Sequence, residues 1–214
     1  MVSALVDKPM MKVEILEPNC GADFSVGDTV GIKVKLDDAW NKIDGRIFIN
    51  GQLFEEFNNL NGPVIEYDYL FDEAGNFQII AEANNTNADR FRDVTNIMIV
   101  NEASSGPDYY VASCIDEPKH FTPFTTNRIY FNSSSSRGIR WEEGSLHELD
   151  KSELLFNWTF VLSNGRYGVP CVGLGNQDCL GKEPTDGETV WNFHRYFPTV
   201  NDNKAYLSVS IASD

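Results

Sequence analysis

Apolar and polar residues alternate at period two in many short stretches, each bounded by Gly, Asn, Asp or Pro, which is the pattern of half-buried β-strands. In the first half such stretches run from Met11 to Leu16, Thr29 to Leu36, Gly45 to Ile49, Leu53 to Phe57, Val64 to Phe71, Asn76 to Ala83 and Asp93 to Val100. Asn50-Gly51 predicts a two-residue hairpin turn, because both residues tolerate positive φ. A second series covers Tyr109 to Ser113, Arg128 to Asn132, Leu154 to Leu162, Tyr167 to Val169, Thr189 to Arg195 and Ala205 to Ile211. Between the two lies Asn101-Glu-Ala-Ser-Ser-Gly-Pro107, small, polar and aperiodic, the signature of a linker. One segment, Ser145 to Leu155, favours a helix of one or two turns: Ser145 and Glu148 fit a capping box, and Leu146, Leu149 and Leu155 loosely share a face.

Strands at such spacing, with turn signals between them, predict an all-β chain of antiparallel sandwiches. A length of 214 residues suits two domains, with boundaries expected at 1–101, 102–108 for the linker and 109–214. The halves also repeat an order of features. Each opens on a Pro- and Cys-containing segment (Pro18-Asn-Cys20; Cys114-Ile-Asp-Glu-Pro118) and ends on an aromatic corner leading into a long strand, which implies two copies of one fold. Ahead of them, Val2 to Val6 reads as a local first strand, with donation to the sheet edge of a second copy as the other arrangement.

In the second half, Ile129-Tyr-Phe131-Asn-Ser-Ser-Ser-Ser136, then Asn157-Trp158-Thr-Phe160 followed by Ser163-Asn164-Gly165, then His194-Arg-Tyr196, resemble the early strand, the Trp-x-Phe-Gly-Asp-Gly motif and the His-x-Tyr of PKD-type immunoglobulin-like domains. The resemblance covers roughly 110–212. It departs from the family pattern in two extra residues, Val161 and Leu162, and in a Cys-bearing insertion over about 170–187. The first half shares only its ending, Phe71 to Ile79, and is Ig-like or PKD-like. The resemblance implies tandem Ig-like (PKD-like) sandwiches on archaeal or bacterial surface proteins, serving as spacers, adhesion units or filament and surface-layer components. It also implies that Trp158, Phe160 and Tyr196 lie in the second core and that His194 is structural.

Charge narrows the partners. Seventeen Lys and Arg against 32 Asp and Glu give a formal net charge of −15. Such a surface repels a phosphate backbone, so nucleic acid is excluded as a partner. Hydrophobic residues at 42% and aromatics at 12% exclude an intrinsically disordered chain. No apolar run approaches the roughly 20 residues a membrane helix needs, so this chain is not expected to insert in a membrane. Its expected place is extracellular or on the cell surface.

Four cysteines, Cys20, Cys114, Cys171 and Cys179, allow two disulfides. The Gly-containing interval between Cys171 and Cys179 predicts a bond between them, leaving the partners of Cys20 and Cys114 open. Sequons at Asn84, Asn132 and Asn157 are candidate glycosylation sites. Asp37, Asp38 and Asp44 form an oxygen-rich segment that makes calcium the one candidate cofactor, although the spacing does not fit an EF-hand. The stretch bearing Arg137, Arg140, Trp141, Arg166 and Tyr167 carries residue types enriched at protein contacts and is the candidate contact surface.

Catalytic motifs fail. Gly175 to Glu183 has five residues between its glycines where a P-loop has four, and Glu where Ser or Thr must hold magnesium. Neither a Gly-x-Ser-x-Gly elbow nor a His-Glu-x-x-His occurs, and Glu142-Glu143 cannot flank one glycosidic bond from adjacent strand positions. The sequence therefore predicts a non-enzymatic surface module whose partners are other surface proteins or copies of itself. The rival expectation is a glycan-binding accessory module using Trp141, Tyr167 or Trp191 as exposed stacking platforms.

Overall fold

The computed structural model describes residues 12–37, 43–60, 64–84, 90–115, 128–133, 135–161, 171–174, 188–192 and 204–211. Among them the regular structure is β throughout, apart from one 3₁₀ turn at Lys151–Glu153. No helix among the described residues is long and apolar enough to cross a membrane. The chain falls into two compact units, and neither is one continuous stretch. The first comprises the described residues through Asn19, with Thr29–Leu70 and Phe77–Thr95; the second comprises Cys20–Asp28, Phe71–Asn76 and the chain from Asn96 onward.

In the first unit β1 (Lys12–Glu17), β3 (Thr29–Asp37) and β6 (Val64–Leu70) make an antiparallel sheet in the order β1-β3-β6. Its alternation is strict: Val13, Ile15, Val30, Ile32, Val34, Leu36 and Ile65 are all buried. A second antiparallel set consists of β4 (Ile43–Ile49), which pairs on one side with β5 (Gln52–Leu60) and on the other with β7 (Gly75–Asn84). Ile43, Ile47, Ile49, Phe57, Ile79, Ala81 and Ala83 are its buried row. Two sheets with one apolar face each must cover those faces, and the sandwich follows. Ile32, Ile47 and Ile79 are wholly buried, each contributing about 1.5–3 kcal/mol of apolar burial.

The expected hairpin is present, with Ile49 opposite Gln52 and Asn50 and Gly51 at φ 47° and 78°. Asn50 does more than turn the chain. Its backbone N–H donates to the Gln78 carbonyl, and its Oδ1 accepts the Gln78 N–H, both at 2.8 Å. Gly45 faces Phe57 across the β4–β5 pair, and a Cβ there would overlap the Phe57 ring and the Glu82 carbonyl. The ring covers the glycine, which is why a residue with no side chain stands mid-strand. Asp93, on β8 (Arg90–Val100), is buried because it has work to do: its carboxylate accepts the N–H of Ile15 at 2.8 Å and that of Val94 at 2.9 Å. The first of these bonds falls where the β1–β3 register slips between Ile15 and Glu17.

In the second unit β2 (Asp23–Ser25) pairs in parallel with Met98–Val100 of β8. The central sheet has the order β12-β11-β9, from β9 (Asp108–Ala112), β11 (Arg137–Glu142) and β12 (Ser145–Glu148). One face of it carries Tyr110, Ala112, Ile139 and Trp141 into a core with Met98, Val100, Cys114 and Cys20. The opposite face carries Val111 into a second cluster with Leu149, Leu154, Phe156 and Ile211. Gly138 pairs with Val111 on that face, and a Cβ there would stand 2.8 Å from Leu154 Cδ2. Beyond lie a three-stranded antiparallel sheet, in the order β14 (Cys171–Leu174), β13 (Leu154–Val161) and β16 (Lys204–Ile211), and the pair of β10 (Arg128–Asn132) with β15 (Glu188–Asn192).

Two expectations change. The segment from Ser145 to Glu148 is a strand, not a helix, because Glu143 and Gly144 at φ 54° and 76° form a tight hairpin that places Glu142 opposite Ser145. The capping interaction lies further on: the Asp150 N–H donates to Glu153 Oε2 at 2.8 Å, at the start of the 3₁₀ turn. The segment read as a linker joins two strands of the second unit. Asn101 donates its N–H to the Tyr110 phenol oxygen at 3.0 Å and accepts the Ala103 N–H on its own side chain at 3.1 Å. Val100 and Tyr110, on either side of it, share one core.

Candidate contact surface

The structure pairs Cys20 with Cys114 in a disulfide, Cα to Cα 5.8 Å, across 94 positions of sequence. Sequence reasoning had left these two partners open. The surroundings hold the bond in place. Cys114 donates its N–H to Ser136 Oγ at 2.7 Å, and the same hydroxyl donates back to the Cys114 carbonyl at 3.1 Å. The Asn96 N–H donates to Cys20 Sγ at 3.4 Å. Closing so long a loop is worth about 4–5 kcal/mol in the chain-entropy account. Cys171 starts β14, whereas Cys179 lies outside the described residues, and with it their expected bond.

Strand alternation divides the expected contact group. Arg137 is half-buried, its Nη1 2.8 Å from Asp23 Oδ1 and 3.2 Å from the Gly21 carbonyl, and its Nε is 3.4 Å from Glu148. It clamps the segment after Cys20 to β11 and is not a free contact arm. Trp141 is only 9% exposed and belongs to the core, so it is no stacking platform for a sugar. Arg166 and Tyr167 lie outside the described residues, as do the side chains of Trp158 and Trp191.

Arg140 alone of the described members lies on the face of β11 opposite the Trp141 core. It sits in register with Tyr109 on β9 and with His147 on β12, so the three form one row across three strands, at about 4.8 Å per strand. Tyr109 is 47% exposed, and His147 is exposed. The Tyr109 phenol, bonded to the guanidinium, and the Glu142 carboxylate, 3.2 Å from Arg140 Nε, raise the Arg140 pKa above its ordinary value. Both long side chains are thus held in one orientation. A row of aromatic, guanidinium, imidazole and carboxylate on a rigid sheet is suited to protein contact, with little side-chain entropy to lose. Tyr109 and His147 were missed in the sequence because the register that sets them beside Arg140 depends on the Glu143-Gly144 turn.

The other candidates are placed as follows. Asn84 is the exposed last residue of β7. Asn132 ends β10, and Asn157 lies mid-strand in β13, opposite Val172 and Ser208. Asp44 is exposed on β4, whereas the Asp37 side chain and Asp38 fall outside the described residues. Among the described residues, no group of three or more His, Cys, Asp or Glu is placed to hold a metal ion.

No family model and no curated protein matches the chain. Solved structures give partial likenesses. Fibronectin(III)-like modules of Clostridium thermocellum CbhA are 17% identical, with a TM-score of 0.36 over 41% of this chain and 93% of theirs. The CARDB domain of a Pyrococcus furiosus protein is 20% identical, with a TM-score of 0.33 over 42% of this chain and 94% of its own. The BSP domain of a biofilm-associated protein is 13% identical and has a TM-score of 0.29, over 96% of this chain and 28% of that one.

Proposed function

We propose that this chain is a non-enzymatic extracellular or cell-surface module that acts through protein–protein contacts as a structural or adhesive unit. The observation that carries the reading is the Cys20–Cys114 disulfide, because a bond of this kind forms and persists in oxidising compartments. The all-β scaffold of paired and stacked sheets fits a load-bearing role, and the Tyr109–Arg140–His147 row supplies a preorganised contact face. The PKD-like motifs over 110–212 support the same assignment.

Sedimentation of the purified chain over a concentration series, alone and with cell envelopes of its source, tests this function. The reading predicts self-association or envelope binding that weakens in Arg140→Glu and Tyr109→Ala while the fold persists. A chain that stays monomeric and does not sediment with envelopes contradicts it.

A further inference from the structure

The strands β5 and β6 follow one another in the first unit, and each is an edge strand of its sheet in the orders above. The β4–β5 register slips between Ile47, opposite Glu55, and Phe48, opposite Leu53, so Phe54 is the extra residue of a bulge. On β6, Tyr67 and Tyr69 lie on the buried side with Ile65, opposite Ile32 and Val30 of β3. The bulge sets Phe54 against both. Its ring centroid is 5.0 Å from that of Tyr69 at 89° and 6.2 Å from that of Tyr67 at 83°. All three rings are half-buried. Leu53 and Leu70, their chain neighbours, are 54% and 56% exposed.

The Phe54 ring stands perpendicular to each of the two tyrosine rings, so the three form a corner and not a shelf. A pyranose stacks on a flat aromatic surface, which this geometry does not offer. A compact group seated in the corner meets more than one ring, and ring faces attract cations. The local charge agrees. Burial and the Glu55 carboxylate together push the Tyr67 phenol above its ordinary pKa, so this tyrosine sits in a negative field. Glu56, the next residue, is already paired with Arg46 at 3.1 Å, which leaves Glu55 as the carboxylate beside the rings. The net charge of −15 further disfavours an anion.

We propose that the Phe54–Tyr67–Tyr69 corner, with Glu55, is a binding site for an alkylated ammonium group. Alkylation spreads the charge and lowers the cost of leaving water, so such a cation suits a half-buried aromatic corner better than a bare ammonium does. This inference stands apart from the contact role of the second unit and survives if that role fails.

The test uses the intact full-length chain and backbone amide NMR, titrated with choline, with an N-acetyl-trimethyllysine amide, with 3,3-dimethylbutan-1-ol as the neutral isostere of choline, and with a neutral gluco-oligosaccharide. The expected result is a saturable millimolar response to the two cations, confined to the amides around 53–56 and 66–70 and absent with the neutral isostere. Whichever cation binds more tightly distinguishes a free head group from a modified side chain as the source. Glu55→Gln weakens binding roughly two- to fivefold, the amount expected from losing one partly exposed charge partner. Tyr67→Phe, which keeps the ring, binds choline as the wild type does. An equal response to the neutral isostere, a response to the oligosaccharide alone, or no response to either cation overturns the proposal.

Discussion

Single residues explain where the strand pattern bends. The Asp93 carboxylate accepts two backbone N–H groups, and substituting alanine strands at least the buried Ile15 donor. Asp93→Ala is therefore expected to cost about 1–3 kcal/mol in denaturant unfolding, and Asp93→Asn less, since the amide keeps one acceptor oxygen. Gly45 tolerates no side chain under the Phe57 ring. Gly45→Ala is expected to lower stability by about 1–3 kcal/mol, read as a drop in the thermal midpoint. Tyr67 gives a pH signature. Its phenol ionises above the ordinary tyrosine value, so the folded state favours the protonated form. The corresponding stability is present below about pH 10 and lost as pH rises through the folded value. A phenolate absorbance titration should show a late-ionising tyrosine that is missing in Tyr67→Phe and shifted down in Glu55→Gln.

At the scale of elements, the first unit was legible because most of its strands bury one face and wet the other. Val30, Ile32, Val34 and Leu36 announce β3 by themselves, and Asn50-Gly51 announces its hairpin. The strand β11 was invisible for the opposite reason. Val111 and Tyr110 of its partner β9 enter two different cores, so both faces of the sheet are covered. On β11 itself, Arg137 occupies an inward position and Gly138 stands where a side chain would strike Leu154. No period-two signal survives that arrangement. The Leu146, Leu149 and Leu155 spacing then suggested a helix, whereas Leu146 is exposed on β12, Leu149 buried beyond it and Leu155 half-buried on β13. The deciding turn carries Glu143 at positive φ, where asparagine is the easier residue. Glu143→Asn should raise stability by a few tenths to about 1 kcal/mol, visible as a higher unfolding midpoint.

For the whole molecule, chain order and unit membership differ. Residues 20–28 and 71–76 belong with the chain from Asn96 onward, so the second unit draws on three separate stretches. What held the expected linker in plain view was composition, and what composition does not report is the Tyr110 phenol that binds Asn101 or the core shared by Val100 and Tyr110. Cleavage within 101–107 is therefore expected to leave the two pieces associated under non-denaturing conditions, joined both by that core and by the disulfide. The candidate surface was half legible. The cluster of Arg and aromatic residues marked the right strand, but alternation turned Trp141 into one core and Arg140 to the opposite face, and only the register added Tyr109 and His147. The redox state of Cys20 and Cys114 tests the account most directly. Native cells would be acid-quenched, their free thiols alkylated, and the protein mapped without reduction. A surface module held by this bond yields a single cross-linked peptide pair joining Cys20 to Cys114. Alkyl groups on both cysteines would contradict the disulfide and, with it, the extracellular assignment.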